Sequence, residues 1–165
     1  MTLPDLSLLV DLHHLWSLDL KLGGTKNLAL LPKIKSLKYL ELWRVLGLED
    51  LSPIASSTSL QFLFLQDLRQ VRTIPPLDAL ISLRRVVIET LKGLADVCSL
   101  ASAPSLEEFL GVAMGNLGPE NFRCFLDHPS LRYLSAGFGS RRKNEALVAM
   151  FPKLDRGQLS PFVFR

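Results

Sequence analysis

Residues 36–55 read "SLKYLELWRVLGLEDLSPIA", and the spacing of their leucines decides the fold. Leu37, Leu40 and Leu42 stand at positions one, four and six of a short motif. Alternation at the end of this motif predicts a β-strand with leucines on one face. The motif recurs as "LWSLDL" from Leu15, "LQFLFL" from Leu60, "LRRVVI" from Leu83, "LEEFLG" from Leu106 and "LRYLSA" from Leu131.

The repeat has a period of about 23 residues, and apolar columns outside the motif keep the same period. Val45, Leu68, Leu91 and Met114 form one such column. A single unit this short has no partner for its apolar face, so the units must stack and share a core. One short strand per unit, with a crossover of about 17 residues, predicts parallel strands joined by right-handed connections.

This pattern, together with the connecting segment "LEDLSPIA" of residues 48–55, resembles a leucine-rich repeat protein. It is similar to the small bacterial, internalin-like members of that group. The resemblance implies a right-handed α/β solenoid. It has a short parallel sheet on the concave side and short helices or 3-10 turns on the convex side. The asparagine that many such repeats carry after the strand is absent, so backbone groups or water must close those turns.

The whole chain, residues 1–165, is predicted to be a single domain. It comprises about six repeats in residues 6–139, a helical cap in residues 140–152 and a tail in residues 153–165. In the cap, "RRKNEALVAMF" predicts an amphipathic helix with four residues facing inward: Ala146, Leu147, Met150 and Phe151. On the convex side we expect a helix from Pro119 to about Asp127, and a short helical turn with Ser52 as N-cap.

Both ends of the repeat array leave alternatives open. Leu6, Leu9 and Leu12 match the convex half of a repeat that has no strand. Residues 1–8, a partner, or preceding residues missing from a fragment must therefore cover the first core face. The "FVF" of residues 162–164 either packs back on the domain or stays loose.

Side chains that alternate with the core leucines form three rows on the concave face. The first row is Ser17, Tyr39, Phe62, Arg85, Glu108 and Tyr133. The second row is Asp19, Glu41, Phe64, Val87, Leu110 and Ser135. The third row is Lys21, Trp43, Gln66, Glu89, Val112 and Gly137.

The centre of this concave face is apolar and aromatic, and its border is charged. Such an arrangement is typical of a specific protein interface. We therefore predict a protein or peptide partner on this face, with Trp43, Phe62 and Phe64 as central anchors. The predicted contact residues are Tyr39, Glu41, Trp43, Phe62, Phe64, Arg85, Val87, Glu89, Glu108, Leu110, Val112 and Tyr133. The alternatives are aromatic residues that only pack on one another, a tail folded over them, or a one-residue shift of strand register.

Composition argues against several other classes of protein. The 165 residues are 48% hydrophobic with a net charge of only +3, which does not indicate nucleic-acid binding. No apolar run approaches the ~20 residues that span a bilayer, so no membrane association is expected. A monomer is predicted, with stacking through the N-terminal end as the alternative.

The residue pattern offers little chemistry, so we predict that the chain is not an enzyme. Its three histidines are His13, His14 and His128, without the spacing of a metal site, and no motif requires a cofactor. Cys98 and Cys124 are expected to be partly buried thiols in a reducing compartment. With no basic N-terminal segment, this favours the cytoplasm.

The predicted function is a non-enzymatic interaction module, such as a scaffold, that binds a protein on its concave sheet. One alternative is an immunity or inhibitor protein that masks a bacterial toxin or enzyme. A preformed surface suits inhibition because little ordering cost accompanies binding. The other alternative is a structural solenoid that associates with itself.

Overall fold

The computed structural model describes residues 3–155 and 157–165 of the chain. Within them, six parallel strands lie side by side in sequence order in one sheet. The strands are β1 (Ser17–Lys21), β2 (Tyr39–Trp43), β3 (Phe62–Gln66), β4 (Arg85–Glu89), β5 (Glu108–Val112) and β6 (Tyr133–Ala136). Each repeat supplies one strand, and the connection after it brings the chain back to the end of the sheet where the next parallel strand begins. This is the predicted α/β repeat solenoid.

The register of the sheet runs straight across all six strands. Tyr39 lies opposite Ser17 on one side and Phe62 on the other, and the first row continues to Tyr133 in the same way. The leucines between the rows point to the opposite face, where Leu40 and Leu63 are fully buried. Within the strands the three rows therefore lie as predicted, with no one-residue shift of register; Gly137, the predicted end of the third row, lies just beyond β6.

In the described part of the chain, the convex side carries five 3-10 helices: Ser7–Leu9, Leu31–Lys33, Ser52–Ser56, Cys98–Ser102 and Pro119–Phe125. Two predictions about them need correction. The helix that starts at Pro119 is a 3-10 helix and ends at Phe125 rather than near Asp127. Ser52 is not an N-cap, because it is the first helical residue and its N–H donates to the carboxylate of Asp50 at 2.8 Å.

The contact made by Asp50 belongs to a column that repeats along the convex side. Asp5, Asn27, Asp50 and Asp96 each accept a hydrogen bond from the backbone N–H two residues later, at 2.8 to 3.0 Å. A side-chain oxygen in this place fixes the turn that begins the convex segment. Its hydrogen bond to the Ser52 N–H lowers the pKa of Asp50, and the same contact to Ser7 lowers that of Asp5.

The turns after the strands are closed by the backbone, as the missing asparagine column required. One residue in each of five turns has a positive φ between 47 and 57°: Leu22, Arg44, Asp67, Thr90 and Ala113. In the first four of these turns, the N–H of this residue donates to a carbonyl of the next strand, as Arg44 does to Gln66 at 2.9 Å; in the fifth, the Met114 N–H donates to the carbonyl of Gly137 at 2.8 Å. The left-handed conformation is unfavourable for residues other than glycine, but in the first four turns it directs the N–H toward the neighbouring strand.

Helix α1 (Arg141–Met150) follows the last strand and packs against β6 and the Pro119–Phe125 helix. The hydroxyl of Ser140 caps it by accepting from the Lys143 N–H at 3.5 Å. Leu147 and Phe151 are buried and Met150 is half-buried, as predicted. Ala146 is exposed, so its predicted inward position is wrong. The division into repeats 6–139, cap 140–152 and tail 153–165 stays a prediction.

Cys98 and Cys124 are joined by a disulfide, so the prediction of two free thiols is wrong. They are 26 residues apart and lie in the 3-10 helices of two neighbouring repeats, with Cα atoms 5.5 Å apart. Two convex helices that stack side by side bring their facing residues within bonding distance. The bond therefore links adjacent repeats on the side away from the concave face.

Candidate protein-interaction face

The second row forms a continuous apolar strip in the middle of the sheet. Phe64, Val87 and Leu110 lie directly opposite one another on β3, β4 and β5. Neighbouring strands are about 4.8 Å apart, so these side chains touch along the row. All three are half-buried, and Val112 beside them on the third row is 38% exposed. The strip is therefore preformed and reachable by a partner.

At the β1 end, this strip meets a network of charged and phenolic groups. Glu41 is 7% exposed; its carboxylate receives Lys21 Nζ at 3.1 Å and the Tyr39 hydroxyl, which donates at 2.8 Å. Lys21 also contacts Asp19 at 3.2 Å. Hydrogen bonds to these carboxylates raise the pKa of Lys21, and burial followed by the Glu41 contact raises the pKa of Tyr39 far above its ordinary value. The charges at this end are thus already paired.

The third row borders the strip where the strands end. Trp43 is half-buried here, and Glu89 makes no ion pair among the described residues. Just beyond the strands, Arg44 Nε contacts the Asp67 carboxylate at 2.6 Å, which lowers the pKa of Asp67. Among the described residues, the third row therefore offers an indole ring and a carboxylate that makes no ion pair.

The first row is covered by the end of the chain itself. Residues 160–165, "SPFVFR", which we call the aromatic segment, lie across it. The ring of Phe162 is 5.2 Å from that of Phe62, and the ring of Phe164 is 6.3 Å from that of Tyr39. Phe164 also packs on Trp16 at 5.2 Å. The alternative in which the tail folds over the concave face thus holds for this row.

Polar side chains of the sheet hold the main chain of the aromatic segment. Arg85 Nη2 donates to the carbonyl of Ser160 at 2.8 Å, and Arg84 Nη2 to that of Val163 at 2.5 Å. The amide of Gln61 donates to the carbonyl of Arg165 at 2.6 Å and accepts from its N–H at 2.9 Å. Burial, together with nearby Arg165, lowers the pKa of Arg84.

The twelve predicted contact residues therefore fall into two groups. Tyr39, Phe62 and Arg85 lie under the aromatic segment, Glu108 is paired with Arg85, and Tyr133 forms a bridge to Asp155. Of the remaining seven, six are at least partly exposed on the open part of the concave side, whereas Glu41 beside them is buried. The six are Trp43, Phe64, Val87, Glu89, Leu110 and Val112. The structure brings this second group together around the apolar strip.

Sequence reasoning missed Trp16, Gln61 and Arg84, which contact the aromatic segment from just before their strands. They stand at position two of their repeats, where a side chain is normally solvated. Two features of the sequence could have indicated these contacts. Trp16 is a large aromatic residue outside every core column, and Phe162 and Phe164 alternate as in an extended segment with one apolar side.

The described residues contain no group of three or more His, Cys, Asp or Glu residues placed to hold a metal. His128 contacts the carbonyl of Ala103 at 2.9 Å through Nε2 and thereby joins two repeats. His13 and His14 are exposed at the N-terminal end. Among residues 3–155 and 157–165, no helix is long and apolar enough to cross a membrane.

Comparison with solved structures identifies the fold. The chain is similar to the crystal structure of an internalin (inlF) from Listeria monocytogenes, with a TM-score of 0.61 and 21% sequence identity. The match covers 78% of this chain but only 36% of the internalin, so this chain spans about a third of that protein. No protein-family model and no curated protein sequence matches it. The chain thus has the leucine-rich repeat fold, as its repeats predicted.

Proposed function

We propose that this leucine-rich repeat solenoid is a non-enzymatic interaction module that binds a protein partner on its concave face. One observation carries the proposal: Phe64, Val87 and Leu110 form an apolar strip, in register on three neighbouring strands. Among the described residues, the hydrogen bonds and ring contacts of the aromatic segment fall on the first row and the residues before it. The strip is left for another molecule.

The physical basis of binding is burial of this strip. Apolar area removed from water contributes about 25 cal/mol per Å². Because the strip is held by the sheet, a partner would meet a surface that needs little ordering. Trp43 and Glu89 on the third row supply an aromatic anchor and a polar contact at its border.

The test is binding by two variants of matched chemistry. Leu110→Asp places a charge at the β5 end of the strip, whereas Leu126→Asp places one on a convex leucine that is 50% exposed. Partners are captured from the source cells with both variants and the parent, and each candidate is purified and titrated. We expect Leu110→Asp to lose at least tenfold in affinity and Leu126→Asp to bind like the parent. Equal affinity of all three folded proteins would refute concave binding.

Self-association is a second candidate, favoured by one observation at the N-terminal end. Leu8, Leu12 and Leu22 are 74, 49 and 61% exposed there. Light scattering over a dilution series tests it. A parent that dissociates on dilution, together with a Leu8→Lys/Leu12→Lys variant that stays monomeric, would support stacking. A parent that is monomeric at micromolar concentration would exclude it.

Scaffold and inhibitor roles use the same surface, and the partner's identity separates them. A toxin or enzyme silenced by the bound solenoid identifies an inhibitor, whereas a partner that stays active identifies a scaffold.

The cytoplasmic location also stays a prediction. The Cys98–Cys124 bond supports an oxidising compartment instead, because reducing compartments keep such pairs as thiols. Alkylation of the protein in intact cells, followed by mass spectrometry, decides between the two.

A further inference from the structure

The aromatic segment contacts the sheet in the manner of a bound peptide. Phe162 and Phe164 are half-buried against the sheet, whereas Val163 between them is 72% exposed. This alternation is that of an extended chain with every second side chain turned inward. Pro161 favours it, because proline fixes its own φ and restricts the preceding residue to extended conformations.

Two adjacent sites on the sheet receive the two phenylalanine rings. The first places the Arg84 and Arg85 guanidinium carbons 4.6 and 5.1 Å from the centre of the Phe162 ring, with Phe62 beside it. The second is formed by Trp16 and Tyr39 around Phe164. Arginine over an aromatic face and edge-to-face ring pairs are both attractive. The sites therefore select aromatic side chains two residues apart.

The other contacts to the segment are independent of its sequence. Arg84, Arg85 and Gln61 bond to main-chain groups of Ser160, Val163 and Arg165. Any extended chain presents the same carbonyl and N–H groups. The surface thus combines general main-chain recognition with two aromatic sites, which is the usual arrangement in peptide-binding domains.

The aromatic segment does not fully satisfy the groups that it covers. Arg84 is only 9% exposed, yet its Nε has no hydrogen-bond partner among the described residues. The segment offers this guanidinium a neutral carbonyl and places Arg165 nearby. Glu107 and Glu108 act on this charge only at a distance, without a direct ion pair, and a buried charge without such a pair is costly; the covered state is therefore held less firmly than its contacts suggest.

We propose that the first row, together with Trp16, Gln61 and Arg84, is a receptor for an extended protein segment of the form aromatic-x-aromatic. The chain's own aromatic segment is a tethered occupant that such a partner segment displaces. The inference rests on the proposed function, since it names a feature of the partner that the concave face binds. It adds that partner binding and release of the tail are coupled.

The tether determines how strongly the aromatic segment competes with a free peptide for the groove. A segment held by a short tether has an effective concentration on the order of millimolar. A free peptide of the same sequence that binds the open groove with a dissociation constant of about 100 μM should therefore bind the parent about tenfold more weakly.

The test uses the full chain with Phe162→Ala/Phe164→Ala and a labelled peptide of residues 158–165. Both alanines empty the two ring sites without shortening the chain. We expect the peptide to bind this double variant, and to bind the parent at least tenfold more weakly, in fluorescence anisotropy titrations. A Val163→Ala chain is the matched control and should behave like the parent, since Val163 points outward. A peptide carrying alanine at both phenylalanines should not bind.

Three outcomes would overturn the proposal. The peptide fails to bind a double variant whose circular dichroism and melting temperature show a folded protein. Alternatively, it binds the parent and the double variant equally. The third is a parent dimer that the peptide splits, because the groove would then take the segment of a second copy. These readouts concern the first row, whereas Leu110→Asp reads the second row, so either proposal can fail without the other.

Discussion

The two ends of the solenoid are closed in different ways. At the C-terminal end, four phenylalanine rings, Phe109, Phe122, Phe125 and Phe138, pack with centroids 5.6 to 6.2 Å apart, and α1 lies over the last repeat. At the N-terminal end, the Ser7–Leu9 helix has no buried residue. A repeat is stabilised by its neighbours, so the end with fewer buried contacts should open first.

The largest predicted effect compares a buried side chain from each end. Phe122→Ala should lower the free energy of unfolding by about 4 kcal/mol, because it leaves a cavity among the packed rings. Leu6 is also fully buried, but Leu6→Ala should mainly open the first repeat. Urea denaturation reports the first effect, and hydrogen exchange of β1 amides reports the second. Equal losses in global stability would contradict the idea of unequal ends.

The disulfide is the next test of the C-terminal end. Removing it with Cys98→Ser/Cys124→Ser should cost about 3 kcal/mol, since the bond closes a loop of 26 residues in the unfolded chain. Thermal unfolding of the parent with and without reductant gives the same comparison without mutation. If reductant leaves the melting temperature unchanged, the bond does not contribute to closing this end.

Replacing a strained turn residue with glycine should have a smaller effect, and in the stabilising direction. Ala113 near the C-terminal end has φ of 55°, and Leu22 near the N-terminal end has the same value. Glycine relieves the left-handed strain but adds freedom to the unfolded chain, so Ala113→Gly should gain about 0.5 to 1 kcal/mol. Leu22→Gly should raise the melting temperature less. A larger rise for Leu22→Gly would show that the first repeat belongs to the cooperative unit.

The smallest effect concerns acid and the N-terminal end. The Ser7 N–H lowers the pKa of Asp5 below 3.8 in the folded chain. This contact therefore contributes stability above the unfolded pKa and loses it as pH falls through the lowered folded value. The protection factor of the Ser7 amide, its exchange relative to the intrinsic rate at the same pH, should fall in that range, and in an Asp5→Ala variant at neutral pH. Asp5→Asn retains an acceptor and is the control; unchanged Ser7 exchange in the alanine variant would refute the contact.

Periodic features of the structure could be predicted from the sequence, and long-range ones could not. The core columns and the three rows follow from a period of 23 residues. The Asp5, Asn27, Asp50 and Asp96 column has nearly that period too, but it was not recognised. The site of the aromatic segment is different in kind, because Arg84 and Val163 are 79 residues apart and Gln61 and Arg165 are 104 apart. Only the complementarity of particular side chains decides such contacts.

The disulfide escaped prediction for a related reason. Cys98 stands eight residues before Leu106 and Cys124 stands seven before Leu131, so the two cysteines do not share a column of the repeats. The alignment of repeats therefore shows no cysteine pair in register. Burial of Glu41 was also unforeseen, because a carboxylate on the exposed face reads as solvated until Lys21 and Tyr39 are seen around it.

The path of the tail has a mechanical consequence. It joins β6, where the Asp155 N–H donates to the carbonyl of Arg132, to the start of β1, where Phe164 packs on Trp16. Five strand intervals measure about 24 Å, and the nine residue steps from Asp155 to Phe164 reach at most about 30 Å. The tail is therefore only slightly longer than the distance between its two attachment points. While both ends are attached, the tail limits how far the curved sheet can straighten. A partner that displaces the aromatic segment would remove this limit and make the whole solenoid more flexible.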